Sequence, residues 1–111
     1  MDRLDEFRDT IERVMTEYAR IPYRFGEVDT QTVFDRKSDH YLLMLVGWEK
    51  GKRVHGCLTH MDIINGKIWV QRDGTEDGMA LDLVRAGIPK QSIVLGFQQA
   101  HRRPYTEFAV A

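Results

Sequence analysis

Residues 53–71, RVHGCLTHMDIINGKIWVQ, hold the reading that decides the fold. Asn65-Gly66 stands near their centre, flanked on both sides by β-branched and aromatic residues. Asn-Gly is the preferred pair for a two-residue type I′ hairpin turn, because both central residues need positive φ. Closing the turn there fixes the register, and the register assigns the faces. Ile63 then pairs with Ile68 and Met61 with Val70, which makes one face apolar. On the other face Asp62 lies opposite Trp69, and His60 opposite Gln71.

The same period of two runs backward from the hairpin. VDTQTVF (28–34) and HYLLMLVGW (40–48) read as two further strands, with RKSD and EKGK as the connections. The block is a four-stranded antiparallel meander. If EKGK closes as a four-residue loop, Tyr41 sits beside His60, with Leu43 and Leu58 nearby. One extra residue would reverse the parity of that step. The second face would then carry Tyr41, His60, Asp62, Trp69 and Gln71, a mixed polar and aromatic composition found in partner surfaces and in pockets.

Ahead of the meander the spacing is helical. Leu4, Phe7, Ile11, Val14, Met15 and Tyr18 fall three and four apart on one face, Asp2 suits the N-cap, and Pro22 ends the helix. Asp9/Arg13 and Arg13/Glu17 on the far side are opposite charges four apart, each adding about 0.2–0.5 kcal/mol. Behind the meander, WVQRDGTEDG (69–78) raises the question of a metal loop. Counted from Asp73, the twelfth position of a calcium loop is Val84 rather than the glutamate required there, and no Lys-Ser or Lys-Thr follows the glycines to make a phosphate loop. The stretch reads as a strand-to-helix junction: Asp73-Gly74 turns the chain, and Thr75 caps a helix whose positive end suits Glu76 and Asp77. Met79, Leu81, Leu83 and Val84 continue that helix to about Ala86, and Gly87 stops it, with Pro89 just beyond. SIVLGF is a buried extended piece, QQAHRRP a loop, and YTEFAV a last short strand.

Composition excludes several classes. The chain has 111 residues, the length of one domain with a real core. Sixteen Lys and Arg against 17 Asp and Glu leave a formal charge of -1. Unaided binding to nucleic acid draws on phosphate neutralisation and usually shows a basic excess, so direct DNA contact falls back on one dense basic spot, His101, Arg102 and Arg103. The apolar run at 42–46 is far too short to span a bilayer, so no membrane association is expected. Met1 leads into Asp2, Arg3, Asp5 and Glu6 rather than into an apolar signal core, and Cys57 is the lone cysteine. A cytoplasmic location is expected. His55 and Cys57 share a strand face, but two ligands make no zinc site, so neither metal nor cofactor is expected. His60 and Asp62 could form an acid/base pair, although no Ser or Cys stands in a nucleophile-elbow context.

The segments IPYRFGEVDTQTVFD, HYLLMLVGW, RVHGCLTHMDIINGKIWVQRDGTEDGMA, GIPKQSIVLGF and YTEFAVA resemble the XisI family over nearly the whole chain. Members of that family are described as controlling factors for excision of the fdxN DNA element in filamentous cyanobacteria, where excision accompanies heterocyst differentiation. The resemblance implies one XisI-like domain over residues 1–111, a role in regulating programmed DNA excision, and a companion, XisH, related to restriction-type nucleases. It supplies no catalytic residues. The expectation is therefore an α+β fold, a four-stranded antiparallel meander with two helices packed mainly on one face. The expected role is non-enzymatic and works through protein contacts. A homodimer formed over Tyr41, Leu43, Leu58 and Trp69 is expected as well. The alternative is a small-ligand-binding protein or enzyme with a pocket around Tyr41, His60, Asp62 and Trp69.

Overall fold

The computed structural model describes residues 3–22 and 26–111. Helix α1 (Arg3–Ala19) leads into strands β1 (Glu27–Asp35), β2 (His40–Glu49), β3 (Lys52–Ile64) and β4 (Lys67–Asp73). Helix α2 (Met79–Arg85) and a short strand β5 (Ile93–Leu95) follow. Asp2, the expected cap of α1, lies outside the described residues. No described helix is long and apolar enough to cross a membrane.

The first four strands form the antiparallel meander, and the hairpin turn has the expected conformation, with φ of 51° at Asn65 and 78° at Gly66. Lys50-Gly51 closes the preceding hairpin with the same pair of positive φ values, 51° and 76°. The sheet nevertheless has five strands and is mixed. After α2 the chain returns as β5 and pairs parallel to β4, Ile68 with Ile93 and Val70 with Leu95. A parallel neighbour needs a crossover connection, and α2 supplies it. The closing YTEFAV contributes one bridge, Ala109 beside Val94, rather than a full strand.

Register departs from a regular ladder at two places. Trp48 faces Arg53 and Met44 faces Cys57, but Leu43 faces Thr59, so Leu58 is an extra residue in β3. This bulge turns the parity: Tyr41 lies opposite Met61, Leu42 opposite His60, and His40 opposite Asp62. Gln71 is a second extra residue, in β4, since Met61 faces Val70 while His60 faces Arg72. The expected pairs Tyr41/His60 and His60/Gln71 are therefore corrected, while Ile63/Ile68, Met61/Val70 and Asp62/Trp69 stand.

The two helices cover one face of this sheet. Phe7, Ile11, Met15, Met61, Ile68 and Val70 belong to one continuous core with Leu83 and Ile93. Through the bulge, Tyr41 and Leu43 join it, both fully buried. The charged side of α1 is engaged as well. Arg36, in the β1–β2 turn, donates to Asp9 and Glu12 at 2.5 Å each, so Asp9 serves the turn and not Arg13. The helix α2 starts differently from the expectation. Gly78 is its N-cap, and the capping carboxylate is Asp73, whose Oδ2 accepts the Met79 N–H at 2.5 Å. Asp73 Oδ1 accepts the Thr75 backbone N–H at 3.1 Å and the Thr75 hydroxyl at 2.5 Å. Thr75 therefore buttresses the cap and is not the cap itself. At the other end Ile88 N–H reaches Leu83 O and Gly87 N–H reaches Val84 O, both at 3.0 Å, which is a Schellman ending. Gly87, at φ 106°, makes that ending possible.

Candidate functional site

The face away from the helices is where the two bulges have their chemical effect. Because Leu58 shifts the parity, His40 at the start of β2 stands directly across from Asp62. His40 Nδ1 donates to Asp62 Oδ1 at 2.6 Å, and His60 Nε2 donates to the same oxygen at 2.8 Å. An ionised carboxylate can only accept, so both imidazole nitrogens carry a proton in this arrangement. The second oxygen of Asp62 accepts from Gln71 Nε2 at 3.3 Å. The two imidazole rings meet edge to face, with centroids 6.2 Å apart.

Electrostatics follow from these bonds. Burial alone would raise the Asp62 carboxyl, but the hydrogen bonds from His40 and His60 outweigh it and hold the group below the ordinary carboxylate range. His40 is raised above its ordinary value by the hydrogen bond to Asp62 and by the charge of that carboxylate. The Asp62 side chain is 11% exposed, His60 35% and His40 52%, so the carboxylate forms the floor and the imidazoles the rim.

Beside this cluster the C-terminal segment crosses the sheet edge and covers Trp69. The Arg103 guanidinium lies over the indole, 5.0 Å from its centroid, and Arg103 Nε donates to Gln98 O at 3.1 Å. A cation over an indole face is an attractive contact. Gly96 passes so close that a Cβ there would sit 2.7 Å from Gln71 Oε1 and 3.1 Å from Trp69 Cε3. Gln71 is thus held between Gly96 and Asp62.

Of the site residues expected from sequence, His60, Asp62 and Gln71 come together, with Trp69 adjacent. Tyr41 does not join them. It lies on the helix-covered face, and its hydroxyl donates to Asp39 Oδ1 at 2.8 Å. Burial, and then the Asp39 carboxylate, push that phenol well above its ordinary value. Leu43 is buried beside it, Leu58 packs against the core, and Trp69 lies under Arg103, so the four-residue dimer seat expected from sequence is not an open surface. Within the basic spot, Arg103 is engaged with Trp69, while His101 and Arg102 are exposed. Cys57 donates to Thr59 O at 3.3 Å, and burial raises its thiol, which makes it a poor nucleophile.

Sequence reasoning missed His40. The signal was present in β3, where apolar positions switch from even numbers (Val54, Leu58) to odd ones (Met61, Ile63). One inserted residue produces that switch.

A family model described as XisI protein matches residues 1–110. The chain belongs to the XisI family. Two solved structures from Anabaena variabilis share its fold. A XisI-like protein is 35% identical, with 97% of this chain and 99% of that one covered and a TM-score of 0.85. The fdxN element excision controlling factor XisI is 34% identical, with 99% and 100% covered and a TM-score of 0.83. Among curated proteins no relative matches the chain.

Proposed function

We propose that this chain is a non-enzymatic controlling factor for excision of a DNA element and acts through contacts with a nuclease-related companion of the XisH kind. The observation that carries the reading is the end-to-end likeness to the fdxN element excision controlling factor XisI, at 34% identity. The near-zero net charge supports protein contacts over unaided DNA binding. The contact surface is the sheet face opposite the helices. Leu42, Met44 and Val46 alternate along β2 on that face, half-buried and outside the core cluster, with Val33 46% and Trp48 54% exposed around them. A row of apolar side chains of this kind marks a binding surface. A second copy of the chain would use the same row, and sedimentation of the purified protein tests for that dimer. The role places the chain in the cytoplasm, with the DNA.

Complementation tests the reading. A filamentous cyanobacterium lacking its own XisI factor is given this chain, and excision is followed by amplifying the rejoined junction. Restored junction product supports the role, and a normally expressed chain that restores none sinks it.

A second reading has one observation in its favour. The cluster of His40, His60 and Asp62 beside Trp69 is a group of polar side chains converging on one point, as small-ligand and catalytic sites require. In this cluster His40 stands where Tyr41 was expected.

A further inference from the structure

Three ligand atoms of two chemical kinds meet on the open sheet face. His40, His60 and Asp62 each offer one ligand atom, two ring nitrogens and a carboxylate oxygen, and these all lie within 4.8 Å of one another. Contacts with a companion protein do not call for such convergence. We propose that His40, His60 and Asp62 form a binding site for a divalent first-row transition ion of the zinc class.

The donor set points to that class of ion. Two imidazole nitrogens and a carboxylate oxygen suit zinc and its neighbours, whereas magnesium and calcium take oxygen ligands almost exclusively. The ligands also stand on a rigid frame, since His40 and Asp62 are direct partners across β2 and β3, and His60 faces Leu42 one step away. Strand positions hold such geometry better than loops do.

The surroundings complete the site. Gln71 occupies the far oxygen of Asp62 at 3.3 Å and leaves Oδ1 turned toward both imidazoles. Metal-binding carboxylates are characteristically steadied in this way by a hydrogen-bonding neighbour. The protein closes the site on the carboxylate side, while the half-exposed imidazoles leave the remaining coordination positions open to water or to another ligand.

Little movement is needed to admit the ion. Ligand bonds of about 2.0–2.1 Å in a tetrahedral site put neighbouring donor atoms about 3.4 Å apart. The present nitrogen-to-oxygen distances, 2.6 and 2.8 Å, are hydrogen bonds that must open slightly. Rotation of the two rim imidazoles accomplishes this. Binding also requires His40 Nδ1 and His60 Nε2 to give up the protons they donate to Asp62: a neutral imidazole takes one back from solvent on its other ring nitrogen, and an imidazolium releases one to solvent.

Calorimetric titration of the purified chain with Zn²⁺, paired with visible absorption after Co²⁺ addition, tests the site. The expected result is one ion per chain, with a cobalt spectrum typical of low coordination number. His40→Gln and His60→Gln should each weaken binding at least about tenfold, and Gln71→Leu by about tenfold with the stoichiometry kept. His101→Gln, in the exposed 3-10 helix Ala100–Tyr105, should change nothing. His40 is half exposed, so its variant remains a fair test even where Asp62→Asn disturbs folding; circular dichroism verifies that each variant is folded. Absence of saturable binding by the wild-type chain overturns the proposal. Equal binding by wild type and by folded His40→Gln and His60→Gln overturns it too, and leaves the imidazoles as hydrogen-bond partners of a half-buried carboxylate.

Discussion

Arg8 grips Asp39 with two parallel hydrogen bonds, Nε to Oδ1 at 2.8 Å and Nη2 to Oδ2 at 3.1 Å, and so ties α1 to the turn before β2. Asp39 holds its turn at φ 55° and takes a third bond from the Tyr41 hydroxyl. The Arg8 bonds, followed by the opposing effect of burial and then the Tyr41 bond, leave the Asp39 carboxyl below its ordinary value of 3.8. A carboxyl lowered in the folded state stabilises the fold above its unfolded value, and the contribution is lost as pH falls through the folded value. Asp39→Asn keeps a residue that tolerates positive φ and removes the charge. The difference in melting temperature between wild type and Asp39→Asn should be largest near neutral pH and shrink steadily on acidification below about pH 4. A difference independent of pH would mean that the charge contributes nothing.

The junction at 73–79 rests on Asp73. Its two oxygens take the Met79 N–H, the Thr75 N–H and the Thr75 hydroxyl. Asp73→Ala should cost about 1–2 kcal/mol, as loss of a helix cap does. Thr75→Ala, which removes only the buttress, should cost less. Urea unfolding of the two variants orders them, and the reverse order would return the cap to Thr75.

Gly47 in β2 pairs with Val28 in β1 and leaves no room for a side chain there. A Cβ at that position would run into Glu27 O and lie 2.6 Å from Val28 Cα, both backbone atoms that cannot turn aside. Gly47→Ala should therefore destabilise by about 1–3 kcal/mol, the range for overpacking, and should loosen β1 first. Hydrogen exchange of the β1 amides measures this directly.

The core makes two opposite predictions. Ile68 is fully buried between the helices and the sheet, so Ile68→Ala should cost about 2–5 kcal/mol. Thr59 is fully buried too, and its hydroxyl has no partner among the described residues. Thr59→Val removes that polar atom at nearly constant shape and should stabilise by about 1 kcal/mol. Chemical unfolding of both variants checks the pair.

Much of this architecture was legible because local chemistry determined it. Asn65-Gly66 dictated one hairpin and with it the faces of Ile63, Ile68, Met61 and Val70. Gly87 and Pro89 marked the end of α2. What escaped the reading depended on contacts distant in sequence. Leu58 is one inserted residue, and it moved Tyr41 and Leu43 under the helices while bringing His40 to Asp62. The three residues of β5 are too few for a strand period to declare itself, and only pairing with β4 makes them a strand. Asp9 answered to Arg36 across the fold and not to its neighbour on the helix, because a turn 27 residues away reached it. Of the candidate site, the half carried by β3 and β4 was readable, and the half supplied by His40 was not.

The proposed contact is a companion protein held on the open sheet face of this XisI-family chain. Co-expression of the tagged chain with an XisH-type companion, followed by affinity purification and size exclusion, measures that contact most directly. The two should co-elute from the wild-type pair. Met44→Glu or Trp48→Glu should release the companion while the melting temperature of the variant stays close to that of wild type. Failure of the wild-type pair to co-elute, or undiminished co-elution with both folded variants, would contradict it.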